Sequence, residues 1–184
     1  ICTSTIVGTV FSKIFETNRG YLNVILRALH LDFLCQQWLA TPKTALACLL
    51  FVNIWQWTGY SMLMYYTNML NIPQDLYESA TIDGAGSFKQ FIYITFPLLR
   101  GTHITLIILD ILGALKFFDL SYVLTDGGPA HATETFSTYI YTKSFSTFQQ
   151  GQASTIVVFM FLIAMVLTVI QLKIYYKKDR KEMN

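Results

Sequence analysis

The chain has 184 residues, 53% of them hydrophobic and only 13% charged, with a formal net charge of +2. Ordinary soluble domains carry roughly 25% charged residues, so this composition excludes that class and places the chain in a membrane, while the small net charge gives no reason to expect nucleic-acid binding. Three cysteines, Cys2, Cys35 and Cys48, are odd in number and far apart, which supports neither a disulfide framework nor a zinc site and leaves packing as their role.

Four apolar segments follow one another along the chain. The first, residues 1–14, is shorter than the ~20 residues a bilayer crossing needs. After it, Gly20-Tyr21-Leu22-Asn23 leads into Val24, Ile25, Leu29, Leu31, Phe33, Leu34 and Trp38, interrupted by Arg27, His30 and Asp32, which predicts a short interfacial helix with aromatic anchors. The segments 44–66, 102–124 and 154–176 are each long enough to span ~30 Å at 1.5 Å per residue. The last is almost wholly apolar, whereas Asn53 and Gln56 in the second and Asp110 and Lys116 in the third must face something other than lipid. Lys116 and Asp119, three apart, are expected to pair on one helical face.

Between the second and third segments lies a polar hinge, residues 71–97. Pro73 suits a helix start, and Leu76, Ala80 and Ile82 or Asp83 recur at helical spacing. Gly84 and Gly86 read as helix stops, and Ser87 with Gln90 as a capping box opening a second short helix. Pro97 restricts Phe96 to extended geometry or kinks the chain. A helix, a glycine turn and a helix in this setting form a docking loop for a socket on a partner. The basic run Lys177, Lys178, Arg180 and Lys181 after the last segment, with Lys89 and Arg100 by the hinge, favours hinge and tail on the cytoplasmic side and residues 15–43 and 125–153 outside, against Lys13, Arg19, Arg27, Lys43 and Lys143, so that the family resemblance of the hinge given below carries much of this orientation.

The hinge resembles the EAA loop of membrane subunits of ATP-binding-cassette importers, Glu-Ala-Ala-x-x-x-Gly followed further on by Ile-x-Leu-Pro. Here Glu78-Ser79-Ala80, Gly84 and Ile94-Thr95-Phe96-Pro97 fill it, with Ser79 for an alanine and Phe96 for the leucine. Ile72-Pro73, Asp83-Gly84-Ala85, Phe118-Asp119, Thr125-Asp126-Gly127-Gly128-Pro129, Thr133-Glu134-Thr135 and Tyr139-Ile140-Tyr141 echo the sugar-permease branch, and the Gly-Gly-Pro loop resembles its maltose-type F or glycerol-phosphate-type A subunits. The resemblance implies an all-α polytopic bundle of the type I importer kind in the bacterial cytoplasmic membrane. Residues 1–184 would be the C-terminal portion of one permease domain, with 71–97 its cytoplasmic coupling loop; the start at Ile1 rather than Met fits a missing N-terminal part. It further implies a second homologous permease, a pair of ATPase subunits holding ATP and magnesium, an external solute-binding protein and a sugar, with no cofactor on this chain. Amino-acid or peptide permeases are the nearest alternative within the class.

No Walker A, His-Glu-x-x-His, Gly-x-Ser-x-Gly or dinucleotide glycine pattern occurs, so ATP hydrolysis belongs to a partner. A membrane-embedded enzyme using Asp110 with His103 or Asp119 lacks paired-carboxylate or metal spacing, and a passive channel or scaffold would need no docking hinge. The three histidines, His30, His103 and His131, suit interfacial or loop positions. Glu78, Ala80, Asp83, Gly84 and Pro97 are the candidate coupling residues; Glu78 is read as part of the docking surface rather than a solvated carboxylate, while Asp83 is open between cap competitor and contact. A sugar site asks for aromatic faces and for amide, hydroxyl or carboxylate groups. Asn53, Trp57 and Tyr60, then Asp110 and Phe117, are the candidates, supported by Trp55, Gln56, Ser61, Phe118 and Tyr122. An aspartate at mid-membrane costs about 3 kcal/mol, so Asp110 either bonds a neighbouring helix or lines the solute path.

Overall fold

Residues 3–182 are described in the computed structural model of the chain, with side chains from 3 to 173; Cys2 and the side chains of the basic run Lys177, Lys178, Arg180 and Lys181 lie outside that description. Every regular element among the described residues is helical, as the apolar segments predict. In chain order these are α1 (Ser4–Ile14), α2 (Tyr21–Ala28), a 3-10 turn at Asp32–Leu34, and the long α3 (Pro42–Met69). The hinge follows as α4 (Asp75–Ile82), α5 (Ser87–Gln90), a π-helical turn at Phe91–Thr95 and α6 (Phe96–Leu98). Then come α7 (Arg100–Leu115), α8 (Asp119–Thr125), α9 (Phe136–Tyr141), a second π-helical turn at Thr142–Ser146 and α10 (Gln150–Glu182). The residues gather into two units, one holding those up to Trp57 with Gly113–Met165, the other Thr58–Leu112 with those from Val166.

Gln150–Lys173 of α10 runs 24 residues with mean hydropathy reaching 2.7, and only 6% of that stretch is buried. An apolar helix exposed on nearly every face requires lipid or a partner around it. Among the described residues it is the one single helix both long and apolar enough to cross a membrane. Residues 44–66 do form helix, within the 28 residues of α3, but that helix is too polar to meet the same measure.

The expected helix over 102–124 is two. Helix α7 stops at Leu115, residues 116–118 are irregular, and α8 starts at Asp119. Hydroxyl groups from further along the chain accommodate the break: Thr135 Oγ1 donates to the Phe117 carbonyl at 2.6 Å and Ser137 Oγ to that of Leu115 at 3.4 Å, satisfying acceptors that a continuing helix would have used. Lys116 and Asp119 therefore share no helical face, and the ion pair expected of them falls away. The continuation lies instead on the hinge side, where Ser87–Leu98 and Arg100–Leu115 together meet the spanning measure, bent by 62°.

The core of the first unit is Val7, Phe15, Cys48, Val52, Leu120 and Leu124, so Cys48 packs as expected. Helix α1 lies against α8 at Gly8, where a Cβ would stand 3.0 Å from Val123 Cγ1. Asn23, 2% exposed, is the polar pin beneath the loop before α3: its amide donates to the carbonyls of Thr17 (3.0 Å) and Gln36 (3.1 Å), and its oxygen accepts from Trp38 Nε1 at 2.8 Å. Beside it Gly20 is obligatory, because a Cβ there would fall 2.0 Å from the Glu16 carbonyl oxygen.

Asn23→Ala strands a buried indole N–H and two carbonyls, an expected cost of about 2 kcal/mol or more, and Gly20→Ala must displace backbone. Thermal unfolding of purified protein in detergent should show both midpoints well below that of the exposed control Tyr21→Ala; equal midpoints for all three would contradict this account of the loop.

Candidate functional site

The hinge belongs to the second unit. Its first helix, α4, opens at Asp75 behind Gln74 rather than at Pro73, which stands just outside it. Asp75 and Glu78 occupy the first turn, where carboxylates favour the helix dipole, and both are exposed. The helix ends as a glycine cap: Ala85 N–H donates to the Ala80 carbonyl at 2.9 Å and Gly84 N–H to that of Thr81 at 3.0 Å, with Gly84 at φ +75°. Asp83 is the residue before this cap and is exposed. Gly86 is not a second stop; it has φ −69° and precedes α5.

Ser87 and Gln90 do not form the expected capping box, since α5 shows no side-chain cap. Gln90 reaches backwards instead. Its Nε2 lies 3.0 Å from Thr81 Oγ1 and 3.1 Å from the Ala85 carbonyl, with the Tyr77 carbonyl at 3.5 Å. Two of those acceptors, at Tyr77 and Thr81, lie on α4 and the third in the turn after it, so the amide braces the two hinge helices instead of closing its own. A second staple joins Tyr77 Oη and Thr95 Oγ1 at 2.8 Å, with Thr95 4% exposed. The hinge is thus one braced piece from Tyr77 to Thr95.

Pro97 kinks rather than extends the chain: Phe96 is helical at φ −61°, ψ −44°. Without an N–H, and with its ring pressing on the turn before it, Pro97 favours a widened turn, and Phe96 N–H bonds the Phe91 carbonyl five residues back. The bend of 62° follows at once.

At the tip the apolar side chains point outward. Ile82 is 86% and Phe88 76% exposed, either side of the glycine cap, whereas Ala80 is half-buried. Helical spacing groups Ile82 or Asp83 with Leu76 and Ala80, and Phe88 lies outside that pattern. The available signal is two large apolar residues flanking a polar turn, the pattern of an interaction surface.

The solute-path candidates divide between the units. Asn53, half-buried, and Trp57 stand one turn apart on α3 in the first unit, with Phe117, which packs on that unit's core. Tyr60, half-buried, and Asp110, exposed on α7, belong to the second. In the first unit Phe118 stacks on Tyr122 at 5.1 Å, and Tyr141 meets both rings and Phe145. Tyr141 and Phe145 come from α9 and its π-helical turn, twenty residues and more beyond any contiguous pattern, so only the fold gathers them. His131 pairs with Glu134 at 3.0 Å in an exposed loop, as expected of it.

An exposed apolar helix, a bent apolar helix pair and a braced helix-turn-helix are the features of a membrane subunit. The chain belongs to the family of binding-protein-dependent transport system inner membrane components, whose model matches residues 6–180. The probable ABC transporter permease protein YurN of Bacillus subtilis is 34% identical over 99% of this chain and 62% of its own length. The trehalose/maltose transport system permease protein MalF of Thermococcus litoralis is 35% identical over 92% of this chain and 56% of its own. A bacterial ABC transporter that imports the acidic polysaccharide alginate superposes with a TM-score of 0.87 over 96% of this chain and 62% of that one at 23% identity, a likeness of fold. The chain therefore spans between half and two thirds of the length of these relatives.

Gly84→Val should weaken the hinge, because a β-branched side chain at positive φ costs about 1–2 kcal/mol, while nothing lies within 4 Å of an added Cβ. Gly84→Asn, which tolerates that backbone, should therefore retain coupling when ATP hydrolysis and transport are assayed together, and Gly84→Val should lose it. Normal coupling in Gly84→Val would contradict the docking role.

Proposed function

We propose that the chain is part of a permease subunit of an ATP-driven sugar importer, forming half of a translocation path with a second, homologous permease. The braced hinge carries this reading: residues 71–97 make a rigid projection whose exposed Ile82 and Phe88 suit a groove on an ATPase subunit, with Glu78, Ala80, Asp83, Gly84 and Pro97 shaping it. Two ATPase copies, with their ATP and magnesium, close and open against this projection and its counterpart, and the rigid hinge passes that movement to the bent span. An external solute-binding protein delivers the sugar to the outer loops. The sugar class is supported by the trehalose/maltose name of one relative. The subunit crosses the bacterial cytoplasmic membrane several times, hinge inward.

Asn53, Trp57, Tyr60, Asp110 and Phe117 contact the solute along the path. Phe117 also packs in the core, which separates it from the rest. Alanine at Trp57, Tyr60 or Asp110 should lower sugar uptake about tenfold, the weight of one stacking or charge-assisted contact, with complex assembly intact; Phe117→Ala should lower assembly as well. Normal uptake in all of them, or losses that follow assembly alone, would remove these residues from the path.

Orientation is tested in intact cells with a membrane-impermeant thiol reagent on a cysteine-free background. Lys89→Cys should stay unlabelled and Ser146→Cys should label, whereas the opposite pattern reverses the topology.

A further inference from the structure

The bend after Pro97 is bridged by a side chain that the docking and solute roles leave unused. His103, half-buried in the first turn of α7, reaches two other elements: Nε2 lies 3.2 Å from the Phe96 carbonyl on the hinge side of the bend, and Nδ1 lies 2.9 Å from Tyr65 Oη on α3. A carbonyl can only accept, so Nε2 carries the proton; in that tautomer Nδ1 accepts and the Tyr65 hydroxyl donates. The rings pack as well, with centroids 4.6 Å apart for His103 and Phe96 and 5.2 Å for His103 and Tyr65. All three residues belong to the second unit, the one that holds the hinge.

Without this bridge the bend would be the soft point of the hinge assembly. Pro97 brings no N–H to it, the turn before it is already wide, and breaks of this kind are where helices flex. The staples on the hinge side, Gln90 to α4 and Tyr77 to Thr95, all end before the bend. The backbone ladder passes the bend through Leu99 N–H to the Thr95 carbonyl at 3.1 Å and His103 N–H to the Leu99 carbonyl at 3.0 Å, and the His103 side chain adds a tie to α3 that the ladder does not supply.

We propose that His103 is a positioning residue that locks the 62° bend and ties it to α3 through Tyr65, so that a displacement of the hinge moves α3 instead of flexing the bend. The proposal rests on the docking reading of the hinge. It assigns His103 neither to solute nor to proton transfer: its two ring nitrogens are both committed to structure.

The test is the ratio of sugar imported to ATP hydrolysed by the intact permease in its assembled complex. Tyr65→Phe keeps the ring and removes one hydroxyl; His103→Ala removes both bonds; His103→Gln can still donate to the Phe96 carbonyl and accept from Tyr65. Import per ATP should fall about threefold in Tyr65→Phe and about tenfold in His103→Ala, the weight of one and of two hydrogen bonds, with ATPase activity and assembly retained. His103→Gln should recover about half of the loss, and the Tyr65→Phe/His103→Ala double variant should be no worse than His103→Ala, since both act on one connection. Should His103→Ala fail to assemble, Tyr65→Phe and His103→Gln decide the matter. An unaltered ratio in Tyr65→Phe, a glutamine variant no better than alanine, or losses that track assembly would each overturn the joint. If Gly84→Val also left coupling intact, the docking reading would fall with it; an uncoupled Gly84→Val beside a normal Tyr65→Phe overturns the joint alone.

Discussion

The missing N–H of Pro97 is the constraint on which the second unit depends. A proline inside an apolar helix removes one rung of the backbone ladder, and where no water can replace that rung the chain must widen, bend or find another donor. Here it widens before the proline, with Phe96 N–H bonding Phe91 five residues back, and bends after it by 62°. The bend lets one apolar run serve both as the end of the hinge and as the start of α7. The Tyr77–Thr95 and Gln90 staples then make everything ahead of the bend a single piece, and His103 closes the bend itself.

The first unit interrupts its apolar run in another way. Between α7 and α8 no proline intervenes; the helix ends because Thr135 and Ser137 supply hydroxyl donors to the carbonyls of Phe117 and Leu115. The same loop satisfies itself with further hydroxyls: Thr133 Oγ1 donates to the Gly128 carbonyl at 2.7 Å, Ser121 Oγ donates to the Thr133 carbonyl, and Thr135 and Thr138 form a reciprocal cap at the start of α9. Short hydroxyl side chains satisfy backbone groups locally at little entropic cost, which suits a break beside apolar surface. The Thr-Asp-Gly-Gly-Pro and Thr-Glu-Thr stretches are thus structural first: they hold a non-helical connection in place.

How much was legible in the sequence follows from the range of the forces involved. Gly84 and Pro97 act on their own backbone, so a glycine cap and a kink could be read directly, and the family resemblance at Glu78 to Pro97 reached the right class. Gln90 could not be placed, because its capping-box spacing with Ser87 is local whereas the acceptors that win lie on α4, at Thr81, and in the turn after it, at Ala85. The Lys116–Asp119 pair presupposed a helix that is ended by residues some twenty positions downstream, beyond any local pattern. Ile82 shows a related limit: periodicity finds a face but does not say whether the chain itself covers it, and here the chain leaves it 86% exposed. Residue type makes Phe117 a path candidate, and packing adds a contact with the core that its type does not reveal.

The central claim is that the hinge tip seats in an ATPase subunit. Replacing Phe88 with a photo-reactive phenylalanine analogue in the assembled complex and irradiating it measures what covers that tip. The account predicts a covalent product with the ATPase subunit whose yield changes with bound nucleotide, and none from the same analogue at Phe145. Capture of lipid alone at Phe88, with the ATPase present and bound, would contradict it.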